Sequence, residues 1–115
     1  MSSKLDGILL VNKKKGMTSY DVIRKIKLAF KEMDIQTKIG HSGTLDPFAE
    51  GLLVILLGKY TRMSDYLMDI EKTYSGTFVQ GVGTDTLDLD GEIIERTKTI
   101  APEIILSNIS NFIGE

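Results

Sequence analysis

The chain has 115 residues, 42% of them hydrophobic and 26% charged, with 11 Gly, 2 Pro, one His, no Cys and a net charge of -2. That is one domain with room for a real core, and it excludes disordered, collagen-like and mucin-like chains. Without cysteine there is no disulfide framework, thiolate metal site or thiol nucleophile, and a single histidine cannot build a His-rich metal site.

Met1–Asp6 lacks the layout of a signal peptide. Gly7-Ile8-Leu9-Leu10-Val11 reads as a buried strand, and a lysine turn follows as far as Gly16. Thr18 can cap a helix over 19–33, with Asp21 in its first turn and Val22, Ile26, Ala29, Phe30 and Met33 along one face. Residues 38–47 follow neither period and read as a glycine-bounded loop. Leu52–Leu57 reads as a central strand buried on both faces. Being six residues long, where a bilayer span needs about 20, this longest apolar run crosses no membrane, and a cytoplasmic protein is expected. Arg62–Ile70 is a short helix. Tyr74–Val82 alternates like a strand, with Glu92–Arg96 as its partner across an Asp90-Gly91 turn. Pro102 opens a last helix with Ile104, Ile105, Ile109, Phe112 and Ile113 on its apolar face.

The order β-α-loop-β-α-β-β-α predicts an α+β fold, with a mixed, mostly antiparallel sheet flanked by helices. The 52–57 strand needs neighbours on both edges and cover on both faces. So few elements supply these only with difficulty, which points to a truncated domain.

Charge is unevenly spread. Residues 1–40 carry nine Lys or Arg against four Asp or Glu, and residues 41–115 carry five against twelve. The basic part includes Lys13, Lys14, Lys15, Arg24, Lys25, Lys27 and Lys31, which can hold phosphates or simply form a solvated face. The lysine turn does not match the spacing of a P-loop. Thr86–Gly91 resembles the start of a calcium loop, but positions one and twelve hold Thr86 and Thr97, and a hairpin turn explains it better. Two glycines, Gly40 and Gly43, allow a close backbone approach to a ligand, and Pro47 biases Asp46 toward extended geometry. His41 and Asp46 on one loop could form an acid–base pair or a nucleophile with a helper. The commoner arrangement, which the residues alone favour, has Asp46 capping a turn at Pro47 while His41 lies at the surface.

Gly40-His41-Ser42-Gly43-Thr44-Leu45-Asp46-Pro47-Phe48-Ala49-Glu50-Gly51 resembles the catalytic motif of the TruB-type tRNA pseudouridine synthases. Gly7–Lys13 with Gly16-Met17-Thr18-Ser19 resembles that family's first motif, and Lys72-Thr73-Tyr74 with Gly83–Gly91 its second. The chain departs from the family at Asn12-Lys13-Lys14, where Asp-Lys-Pro is usual, and at Glu50, where a small or hydroxyl residue is common.

The resemblance implies a pseudouridine-synthase fold in which residues 1–115 are the N-terminal portion of the catalytic domain, without its C-terminal half or a PUA domain. It implies isomerisation of uridine-55 in the T loop of tRNA, with no cofactor and no metal. Asp46 would be the catalytic aspartate, adding to uracil C6 or to ribose C1′. His41 would fill the space left by the flipped uridine. Tyr74 would pack on the uracil and assist loss of the C5 proton, although ordinary strand packing explains it too. Gly40, Gly43, Thr44, Leu45 and Pro47 would support the loop, and Asp88 would hold local geometry or only a turn. Lys13, Lys14, Lys15, Arg24 and Lys27 would contact phosphates of the T arm. By the same resemblance, an arginine that pairs with the aspartate would lie in the half not represented here. The chain alone is therefore expected to be inactive, or to act as a non-catalytic RNA-binding or scaffold fragment. Exposed sheet edges are expected to favour self-association or pairing with a complementary C-terminal polypeptide.

Overall fold

The computed structural model describes residues 3–114, which fall into two compact units, Met1–Thr73 and Tyr74–Glu115. In the first unit, strand β1 (Gly7–Lys13), helix α1 (Ser19–Glu32), strands β2 (Ile39–His41) and β3 (Gly51–Leu57), a 3-10 turn (Gly58–Met63) and helix α2 (Ser64–Met68) follow in order. β3 is the centre of a three-stranded sheet in the order β1-β3-β2, antiparallel to both neighbours. β1 pairs along its whole length, from Gly7 opposite Leu57 to Lys13 opposite Gly51. The second neighbour of β3 comes from the segment read as loop, because a three-residue strand is too short to show a period.

α1 begins where the sequence predicts it. The Thr18 hydroxyl accepts from the Asp21 N–H, and the Asp21 carboxylate accepts from the Thr18 N–H, each at 2.9 Å, forming a capping box. The helix ends at Glu32 with Met33 as its cap, and Asp34 beyond it, with a φ of 52°, lets Ile35 donate to the Phe30 carbonyl in a Schellman closure. Val22 and Ile23 pack onto Leu53, Ile55 and Leu57, which share one face of β3 by strand alternation. On the opposite face Leu56 is fully buried but Leu52 is 64% exposed, so burial on both faces holds only at the end of β3. The expected helix over 62–70 is present as α2 with the 3-10 turn before it. No helix among the described residues is long and apolar enough to cross a membrane.

The Thr18 N–H, then the Thr18 hydroxyl and the Arg24 guanidinium, hold the Asp21 carboxyl below its usual 3.8. Folded Asp21 therefore stays ionised at a pH where the unfolded chain has already taken up the proton. Its contribution is complete above pH 3.8 and is lost as the pH falls through the lower folded value. Urea midpoints measured from about pH 5 to pH 2 should fall less steeply in Asp21→Asn than in the parent chain.

The second unit contains β4 (Val82–Thr84) paired antiparallel with β5 (Ile93–Arg96), helix α3 (Pro102–Asn108) and a 3-10 turn (Ile109–Phe112). The predicted strand over Tyr74–Val82 is corrected: only Val82 enters a ladder, and Phe78 and Val79 are exposed. Alternation marks a chain able to form a strand, but a strand needs a partner backbone, and β5 meets only three residues. Gln80 partly replaces a ladder step, its amide exchanging hydrogen bonds with the Ile100 N–H and carbonyl. α3 starts with Pro102 in its first turn, as expected, but gives way to the 3-10 turn after Asn108. Ile104, Ile109, Phe112 and Ile113 are exposed, and no described side chain of this unit is buried.

Candidate active site

The loop from Ser42 to Glu50 joins the end of β2 to the start of β3, and both ends are fixed by the sheet. His41 pairs with Ile55, and the Ser42 N–H donates to the Val54 carbonyl at 3.1 Å. His41 is half-buried, with its Nδ1 2.9 Å from the Gly43 carbonyl and 3.3 Å from the Gly43 nitrogen. With Nδ1–H donating to the nearer partner, Nε2 is the acceptor of the neutral ring. The ring is thus oriented by its own loop.

Gly43 turns that loop with a φ of 128°, a region essentially restricted to glycine. No atom lies within 4 Å of the position a Cβ would occupy, so the obstacle to a side chain is the backbone alone. Gly43→Ala should therefore cost about 1–3 kcal/mol in urea unfolding despite the open space. Gly40 ends up inside β2, and Thr44 is exposed between Gly43 and Leu45.

Asp46 is exposed, and among the described residues its carboxylate forms no hydrogen bond or ion pair. Its backbone is closely held. Leu45 before it exchanges two hydrogen bonds with the buried Ser19 hydroxyl, which accepts from the Leu45 N–H at 3.0 Å and donates to its carbonyl at 3.3 Å. Pro47 after it accepts from the Gly16 N–H at 2.7 Å and from Lys13 Nζ at 3.3 Å. The Asp46 carbonyl accepts from the Ala49 N–H at 2.9 Å, closing a turn around Pro47. A free carboxylate on a braced backbone is suited to act on a bound molecule. The structure favours neither a cap nor an acid–base pair with His41.

Lys13 is corrected. It is 1% exposed, and its ammonium donates to the carbonyls of Lys14 at 3.0 Å, Met17 at 2.7 Å and Pro47. Three acceptors use all three ammonium protons, leaving none for a phosphate. Lys14 and Lys15 remain exposed, on a turn that the Gly16–Pro47 bond ties to the Asp46 loop. Arg24 and Lys27 lie along the exposed face of α1, 5.7 and 5.8 Å from the Tyr20 ring centroid, and Arg24 also pairs with Asp21.

Tyr74 and Asp88 belong to the second unit. Tyr74 is 72% exposed and outside any strand. The Asp88 carboxylate accepts from the Thr86 hydroxyl and the Asp90 N–H, and these two bonds, the hydroxyl first, hold its carboxyl below the usual range. Its geometry is that of a turn. No group of acidic or histidine side chains that could hold a metal ion occurs among the described residues. Gly16 and Ser19 stand in the sequence as part of a motif and a helix start, and neither signal reveals their bonds to Pro47 and Leu45.

Comparison with known proteins agrees along the chain. Residues 13–115 match the model of the TruB family pseudouridylate synthase N-terminal domain. A protein of Oenococcus oeni named tRNA pseudouridine synthase B is 49% identical over 90 residues, covering 78% of this chain and 29% of that protein. Proteins of the same name from Ligilactobacillus salivarius and Acholeplasma laidlawii are 46% and 45% identical, covering 96% and 93% of this chain and 36% and 37% of their own lengths. The chain thus spans well under half the length of the curated relatives it matches. With the match to the family's N-terminal domain running across both structural units and through the braced Asp46 loop, the chain belongs to the TruB family of pseudouridylate synthases.

Proposed function

We propose that this sequence serves a tRNA pseudouridine synthase acting on uridine-55 of the T loop, with residues 1–115 as the N-terminal portion of its catalytic domain. The observation that carries this is the exposed Asp46 carboxylate on a backbone fixed through both neighbouring residues. Substrate and product are isomers: the C1′–N1 bond breaks, the uracil turns, a C5–C1′ bond forms, and the C5 proton leaves to solvent while N1 gains one. There is no net oxidation or group transfer, so the chemistry asks for an ionised, well-aimed carboxylate and for no cofactor. Attack by Asp46 at uracil C6 and at ribose C1′ are both compatible with its position on the loop.

A base inside a folded stem-loop must be flipped out first, at a cost of a few kcal/mol. His41, a planar ring oriented by Gly43, is suited to fill the vacated stack, and Tyr74 to pack on the uracil and assist loss of the C5 proton. Lys14, Lys15, Arg24 and Lys27 supply salt-dependent phosphate contacts without reading sequence. A protein acting on tRNA in this way is expected in the cytoplasm. Its edge strands β1 and β2 give self-association or a complementary polypeptide a place to pair.

Tritium release from a T-arm stem-loop labelled at uridine C5 tests this. The full chain that carries this sequence should release tritium, whereas the 115-residue chain should retain T-arm RNA on a filter and release none. A full chain that releases none refutes the assignment.

A further inference from the structure

We infer that Ser19 is a positioning residue for Asp46, a role that rests on Asp46 being the reacting carboxylate. Ser19 is the first residue of α1 and is only 3% exposed. Its backbone lies in the first turn of a helix anchored to the core by Val22 and Ile23. Buried and bonded twice to one residue, the hydroxyl is a fixed peg rather than a free rotor. It meets both backbone polar groups of Leu45, accepting from the N–H at 3.0 Å and donating to the carbonyl at 3.3 Å. Leu45 also packs its side chain against the core, so the residue preceding Asp46 is held by its backbone and by its side chain.

The other flank has two anchors on a single atom, since the Pro47 carbonyl accepts from Gly16 N–H and from Lys13 Nζ. Loss of either leaves the second in place. Ser19 is the one polar partner of the Leu45 backbone among the described residues, so its loss leaves Leu45 held by its side chain alone and lets the peptide groups on either side tilt and displace the Asp46 side chain. Reaction rates respond steeply to such displacements, with about a hundredfold lost for a shift of about 1 Å. Binding of the RNA, held by exposed cations elsewhere, does not pass through this peg.

The test compares Ser19→Ala with Thr18→Ala in the full chain. Thr18→Ala weakens the same helix start but leaves both bonds to Leu45, and thus reports the effect of a looser α1 alone. At a temperature where circular dichroism shows both variants folded, Ser19→Ala should lower kcat for tritium release by about ten- to a hundredfold. Its Kd for T-arm RNA should stay within about twofold, and Thr18→Ala should keep kcat within about threefold. Equal kcat values for the two variants would overturn the positioning role. In the same samples, Leu45 amide hydrogen exchange should quicken at least about tenfold in Ser19→Ala, with α1 amides unchanged. Unchanged Leu45 exchange would overturn it as well. If the parent full chain releases no tritium, the assignment of Asp46 fails and the positioning role falls with it. Faster Leu45 exchange would then show the peg to be real but purely structural, separating the two failures.

Discussion

Asp46→Asn in the full chain should reduce tritium release from a C5-labelled T-arm substrate by at least about a thousandfold, while leaving RNA affinity within about twofold. Asparagine matches the size of aspartate and, being exposed here, disturbs no neighbour. What it removes is the carboxylate oxygen that, in the proposed reaction, bonds to the nucleoside. The braces on Leu45 and Pro47 involve backbone atoms of other residues and survive the change. Single-turnover release together with filter binding separates the two effects. Activity within about tenfold of the parent would remove Asp46 from the chemistry.

Lys13→Met should destabilise the chain by about 3 kcal/mol, read as a lower urea midpoint at unchanged slope. Methionine keeps most of the buried stem but supplies no donor to the carbonyls of Lys14 and Met17, which then lose their partner. Pro47 keeps its bond from Gly16. The cost arises from these abandoned acceptors, since hydrogen bonds to charged groups contribute about 1.5–3 kcal/mol each and do not add. Phosphate contact at the surface predicts the opposite pattern: unchanged stability and a shallower salt dependence of RNA binding.

The two results bear on how much the residues show when read in order. The start of α1 was legible because the capping box lies within four residues of chain, and β1 and β3 because each is a long apolar run. The Asp46 loop was legible through its resemblance to a known motif, while its residues alone favoured a turn cap over an acid–base pair. β2 was not legible, because three residues carry no period. The strand expected over Tyr74–Val82 had the alternation but found a partner only from Val82 onward. Lys13 looked like its neighbours Lys14 and Lys15, and nothing local distinguishes a buried lysine from an exposed one in a run of three.

Local pattern thus determined β1, β3, α1 and its cap, the split of charge and, through its motifs, the family. Tertiary structure decided which backbone each strand pairs with, where three carbonyls converge on one ammonium, and that Ser19 meets Leu45 26 positions away. Periods and caps depend on residues within a turn or two of each other, so the sequence displays them directly. Hydrogen bonds between distant segments exist only once the chain has closed on itself, and the bracing of Asp46 consists of such bonds.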